Sequence, residues 1–237
     1  MEAKPSVKRS NDELTAAIVK RMVQVVLHLV ILAAILFISA GRLDWGWAWA
    51  YFGVSVGILA INALVMSPEL IAERGKARKE NVETWDRVVT SISILPALGA
   101  PIVAGLDKRF GWSPQPALTS HLIGLAFLVL GQGLFTWSMV SNKFFSTAAR
   151  IQIAREHTVA TGGPYRYVRH PGYVGFIVSA FAMPLALGSL WALIPAAVTL
   201  CLFVVRTALE DRMLQEKLPG YREYARHTRY RLLPGVW

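Results

Sequence analysis

His157-Thr-Val-Ala-Thr-Gly-Gly-Pro-Tyr-Arg-Tyr-Val-Arg-His-Pro-Gly-Tyr173 is the stretch around which this chain is organised. It is a dense polar segment between long apolar blocks. It holds two histidines, three tyrosines, two arginines, two prolines and three glycines. Gly162-Gly163-Pro164 interrupts a continuous helix, because proline has no N–H to donate and its ring clashes with the preceding turn. Pro171 in turn pushes His170 toward extended backbone. The segment therefore reads as a shaped loop that presents titratable groups at a membrane boundary.

The blocks around it set the fold class. The 237 residues are 54% hydrophobic and 17% charged, against about 25% charged in an ordinary soluble domain. The apolar residues bunch into runs near the roughly 20 needed to cross a bilayer as a helix. The expectation is an all-α, polytopic transmembrane bundle of about six segments: 22–40, 47–66, 88–105, 116–140, 173–187 and 190–205. The last two form a helical hairpin joined at Gly188-Ser189. The charged residues 1–21 run straight into the first apolar segment, which reads as an uncleaved span. Pro96 and Pro101 predict a kink in the third segment, and Gly124, Gly131 and Gly133 predict close helix approach in the fourth. The mixed charges of 67–87 read as a solvated amphipathic loop. Residues 1–149 are then the N-terminal spans and 150–237 the C-terminal core of one integrated membrane domain.

Charge placement gives an orientation. Twenty-two of the 25 lysines and arginines fall in the N-terminal tail, loop 67–87, loop 141–172 or the C-terminal tail. Only Arg42, Lys108 and Arg109 fall on the other side. The positive-inside bias then places both termini in the cytoplasm, in a bacterial inner membrane or the endoplasmic reticulum. The net charge of +10 is explained by topology and anionic lipid head groups, so no nucleic-acid partner is expected. Cys201 is alone in an apolar run and reads as a small buried hydrophobe. His157 and His170 are thirteen residues apart with no cysteine nearby, so no metal is expected. No dinucleotide or phosphate-binding glycine motif is present.

A second motif, Arg206-Thr-Ala-Leu-Glu-Asp211, leaves the hairpin on the side where the loop enters it. A hairpin returns the chain to the face it left, so loop and motif should be neighbours. On a helix, Arg206 and Glu210 share a face at i, i+4. The plain alternatives are an interfacial salt bridge with a snorkelling arginine, a capping role for His170, and interface anchoring by Tyr165, Tyr167 and Tyr173. His28 and His121 read as structural or interfacial.

Taken together, these residues resemble the isoprenylcysteine carboxyl methyltransferase family of integral membrane enzymes. The resemblance runs from about Arg150 to the C-terminus. It is carried by His157-Thr-Val-Ala160, by Gly163-Pro-Tyr-Arg-Tyr-Val-Arg-His-Pro-Gly-Tyr-Val-Gly175, and by Arg206 with Glu210-Asp211 and Leu214. Pro219-Gly-Tyr-Arg-Glu-Tyr224 and Leu233-Pro234 extend it. The acidic pair is Glu-Asp here, where the family has Glu-Glu. The resemblance implies S-adenosylmethionine as cofactor. It implies a pocket lined by His157, Thr158, Val159, Ala160 and Tyr165 and closed by His170, Pro171, Gly172 and Tyr173. It further implies Glu210 on the methionine ammonium or an adjacent cofactor group, and Arg206 on the acceptor carboxylate. Arg206, Glu210 and His170 are then the residues nearest the chemistry. The expected acceptor is lipophilic: the carboxylate of an isoprenylated cysteine, another lipid, an amine or a small thiol. A rival reading is an NADPH-dependent, sterol-reductase-like enzyme, with Arg166, Arg169 and Arg226 around a 2′-phosphate. A transporter or non-catalytic lipid-binding protein is a rival of another class; the spans lack the paired intramembrane charges it would use.

Overall fold

The computed structural model describes residues 11–75 and 81–237. The polar leader 1–10 and the run 76–80, with Lys76, Arg78 and Lys79, lie outside the described residues. The elements in order are α1 (Asn11–Ala40), α2 (Gly46–Val65), α3 (Pro68–Arg74), α4 (Thr84–Phe110), α5 (Leu118–Val140), α6 (Pro171–Leu187), α7 (Leu193–Lys217) and α8 (Tyr221–His227). Two short 3-10 turns, Ile153–Arg155 and Gly163–Arg166, shape the loop between α5 and α6.

Helices α1, α2, α4, α5 and α7 are long and apolar enough to cross a membrane. Helix α6 has 17 residues, about 25 Å at 1.5 Å per residue. The expected six segments are thus five long helices and one short one, and the protein is an integral, multi-pass membrane protein. Large apolar side chains such as Ile38, Leu64, Leu95 and Leu130 stay exposed on the outer surface of the bundle, as lipid-facing residues do.

Helices α5 and α6 pack most closely, and glycine is the reason. A Cβ at Gly175 would lie 2.5 Å from the carbonyl oxygen of Gly131, and one at Gly131 would lie 2.8 Å from that of Gly175. Gly133 does not share this role, since it faces open space; the matching residue on α6 is Gly175. Helix α4 carries Pro96 and Pro101 inside one helical segment.

The 67–87 stretch departs from the sequence expectation. Ser67 caps α3 by accepting from the Leu70 N–H at 3.3 Å, and Leu70, Ile71, Ala72 and Glu73 are buried. Two of its charges are used inside the protein: Glu73 pairs with Arg150, and Asp86, in the first turn of α4, is buried. At the opposite face, Asp107 accepts from the Ser113 N–H at 2.7 Å, the Ser113 hydroxyl at 2.6 Å and the Ser189 hydroxyl at 2.5 Å. His121 stacks on Trp47 with ring centroids 4.2 Å apart, and its Nδ1 lies 2.7 Å from the Ala186 carbonyl. Both close the bundle at that end, so His121 is structural.

Candidate functional site

Loop 141–170 and the tail after α7 are built against each other. The Arg169 and His170 N–H groups donate to the Tyr230 and Arg231 carbonyls at 2.9 and 3.0 Å. The Tyr224 hydroxyl donates to the Tyr165 carbonyl at 2.7 Å. Tyr165, Leu218, Tyr221 and Tyr224 form one buried cluster. Burial pushes all three tyrosine hydroxyls above their ordinary range, that of Tyr224 to about 12. They stay neutral hydrogen-bonding groups at physiological pH.

Beneath this cluster sits Asp211, with its side chain fully buried. It accepts from Arg169 through Nε at 2.7 Å and Nη2 at 3.0 Å, a bidentate fork. It also accepts from Arg231 Nε at 2.8 Å, the Tyr221 hydroxyl at 3.0 Å and Gln215 Nε2 at 2.8 Å. His170 Nε2 lies 3.4 Å from the same carboxylate. A buried carboxylate of this kind is tolerated because its lone pairs are filled. One residue of α7 therefore fixes the loop through Arg169 and His170, and the tail through Tyr221 and Arg231.

The neighbouring Glu210 faces a cleft. The cleft encloses about 730 Å³ of space, part of it open to solvent. Of the residues expected at the site, His157, Thr158, Val159, Ala160, Tyr165, His170, Gly172, Tyr173 and Glu210 all line it. Glu210 accepts from the Tyr173 hydroxyl, and the Tyr173 ring stacks on His170 at 5.7 Å, within 4° of parallel. Pro171 is buried at the start of α6 and orients the residues after it. Phe144 and Phe145 supply aromatic walls. Gly172 lets Phe145 approach, since a Cβ there would lie 2.9 Å from its ring. Residues 157–161 are irregular, and among the described residues their backbone groups pair with no other backbone group. They leave donors and acceptors for the edge of a ligand.

Arg206 stands apart from this set. It does not pair with Glu210; its Nε donates to Asp86 at 2.9 Å and its Nη2 to the Thr147 carbonyl at 3.0 Å. Its guanidinium lies 5.4 Å from the centre of the Tyr173 ring. The i, i+4 pairing loses because Asp86 on α4 offers Arg206 a buried partner, whereas Glu210 turns to Tyr173. Arg169 lines the cleft, but its Nε and Nη2 are engaged by Asp211 and its Nη1 by the Thr228 and Arg229 carbonyls. Arg226 is exposed on α8, 3.7 Å from Glu223. Tyr167 is exposed, consistent with an anchor. Sequence reasoning missed the supporting set Asp86, Arg169, Asp211, Tyr221 and Arg231. The usable signal for Asp211 was the second acid of Glu210-Asp211, placed one residue round the helix from the cleft.

His157 packs its ring against Phe144, with centroids 4.5 Å apart. Burial, with Arg155 and Arg150 adding, lowers its pKa from 6.5 to about 4. The folded state therefore holds this histidine neutral. Its contribution to stability is complete above about pH 6.5 and is lost as pH falls toward about 4. The melting temperature in detergent should fall across that window, and His157→Gln should fall less; equal slopes would contradict the assignment.

Residues 123–216 match the model of the isoprenylcysteine carboxyl methyltransferase (ICMT) family. A Schizosaccharomyces pombe protein named protein-S-isoprenylcysteine O-methyltransferase is 41% identical over 66 residues, 27% of this chain and 28% of that protein. A probable protein-S-isoprenylcysteine O-methyltransferase from Oryza sativa subsp. indica is 34% identical over 59 residues, 24% of this chain and 31% of the rice protein. A Cupriavidus metallidurans protein named cobalt-zinc-cadmium resistance protein CzcN is 28% identical over 160 residues, 63% of this chain and 62% of that protein. The aligned part thus spans under a third of each named methyltransferase. The stretch 123–216 contains α6, most of α5 and α7, and the loop between α5 and α6, and in this stretch the chain is similar to the isoprenylcysteine carboxyl methyltransferase family.

Proposed function

We propose that the cleft binds S-adenosylmethionine and that the protein transfers its methyl group to a lipophilic acceptor, with the carboxylate of an isoprenylated cysteine as the leading candidate. The observation that carries the reading is Glu210, a carboxylate facing the cleft and held there by Tyr173. Such a group fits a cationic cofactor. The unpaired backbone edge of 157–161 and the rings of Phe144 and Phe145 fit a nucleoside. The family match and the relatives named as methyltransferases support the same activity.

When bound, the cofactor supplies an electrophilic methyl group on a sulfonium, which a carboxylate can take without a base because it is already ionised near neutral pH. The protein's work is alignment and exclusion of water. Glu210 would hold the cofactor's ammonium or an adjacent group. Tyr173 fixes Glu210, and His170 stacks behind Tyr173. Arg206 acts as a positioning residue, because Asp86 and the Thr147 carbonyl hold it against the Tyr173 ring. Asp211 sets the loop at its depth. The bias of lysine and arginine makes the cleft face the cytoplasmic one, where a soluble cofactor arrives.

Calorimetry on the purified protein in detergent tests the reading. S-adenosylmethionine and its demethylated product should both bind, and NADPH should not. Binding of NADPH with neither of the others would replace it with the reductase reading.

A further inference from the structure

A second cavity lies between α1, α2, α5 and α6, with α3 at one end. It has about 1670 Å³ of space, counting the part that opens to the surroundings. Its walls are apolar, with Leu29, Leu32, Ile58, Leu59, Leu128 and Phe176 among them. Its two arginines, Arg21 and Arg74, belong to the end where α1 packs on α3, and no acidic side chain is among its described lining residues. Most of the polar side chains on its wall are already engaged. Asn62 accepts from Thr136 at 2.5 Å, Gln132 donates to Ser179 at 3.0 Å, and Gln24 donates to the Gly75 carbonyl at 3.3 Å.

Arg74 carries a buried donor that is left open. Its Nη1 is buried and has no hydrogen-bond partner among the described residues. Its guanidinium lies 5.5 Å from the ring centres of both Phe135 and Phe145. Those rings favour a cation but cannot replace an anion's hydrogen bonds. Burial, with Arg21 adding, lowers its pKa to about 10, so it is charged at neutral pH. A buried charge with an open donor is costly unless something completes it.

Phe145 also lines the cleft. Adjacent residues of α3 therefore serve both spaces: Glu73 pairs with Arg150 on the cleft wall, and Arg74 faces the membrane cavity. We propose that Arg74 is the specificity-determining cation of a site for a monoanionic amphiphile, with a carboxylate head group on Arg74 beside Phe145 and a hydrocarbon chain between α1, α2, α5 and α6. That this ligand is also the methyl acceptor rests on the function proposed above; the binding site itself does not. With Arg206 committed to Asp86, Arg74 provides an available cation for such a head group.

The test uses the full chain in detergent, with a fluorescent C16 fatty acid and its methyl ester as probes. The acid should bind the wild-type protein at least 10-fold more tightly than the ester. Arg74→Gln should remove that preference and leave S-adenosylmethionine affinity unchanged. Leu29→Trp, which fills the cavity, should weaken acid and ester alike. Equal binding of acid and ester by the wild-type protein would overturn the proposal, as would a preference that survives Arg74→Gln. If Arg74→Gln does not fold, a photoreactive C16 acid on the wild-type protein decides. Adducts confined to residues 21–32 and 51–66 support the site, and adducts spread over all lipid-facing helices overturn it. Failure of cofactor binding with the acid preference intact would count against the methyltransferase reading alone.

Discussion

Asp211→Ala should prevent the protein from accumulating in a stable, monodisperse form. The substitution removes an acceptor that serves Arg169, Arg231, Tyr221 and Gln215 at 2.7 to 3.0 Å. Arg169 keeps only the Thr228 and Arg229 carbonyls, at 3.0 and 2.7 Å, and stays buried without a counter-charge. Breaking a buried ion pair from one side costs about 3–5 kcal/mol, a large part of the roughly 5–15 kcal/mol that stabilises a typical protein. Asp211→Asn keeps the shape and one acceptor oxygen, so it should lie between the two. Monodispersity and melting temperature in detergent are the measurements. Wild-type melting of Asp211→Ala would show that the loop is held by something else.

Glu210→Gln should behave in the opposite way: intact protein, impaired binding. The Tyr173 hydroxyl still meets an oxygen acceptor, and Glu210 is only partly buried. What disappears is the negative charge facing the cleft. Truncating one partner of a charge pair costs about 2–5 kcal/mol when the pair is buried. At a partly open site the low end applies, and about 2 kcal/mol weakens binding about 30-fold. Calorimetry with S-adenosylmethionine on a variant of unchanged melting temperature measures this. Unaltered affinity would remove Glu210 from the site.

The contrast between these adjacent acids also shows what the sequence made legible. The loop and the Arg206–Asp211 motif were placed together by hairpin topology alone, and the cleft gathers nine of the residues read as cofactor-binding or catalytic. Local pattern was sufficient because each motif is contiguous and the turn between α6 and α7 is short. It failed where the partner is remote. Arg206 has an acid four residues away and instead binds Asp86, 120 residues earlier in the chain. Nothing in helical spacing reveals that α4 lies across from that face of α7. Arg169 looked like a phosphate ligand because its neighbours are arginine-rich. Its fork is instead engaged by Asp211, 42 residues later. The charges of 67–75 looked solvated because charge runs usually are. Here Ser67 and Pro68 start a helix whose apolar side packs inward and carries Glu73 to Arg150.

The clasp between loop and tail bears on biosynthesis. Arg169 and His170 obtain their main-chain acceptors from Tyr230 and Arg231, about sixty residues later in translation. All the membrane helices can therefore be inserted while the cleft is still unformed. Until residues 221–231 leave the ribosome, Asp211 lacks Tyr221 and Arg231, so the loop cannot be clasped before they are made.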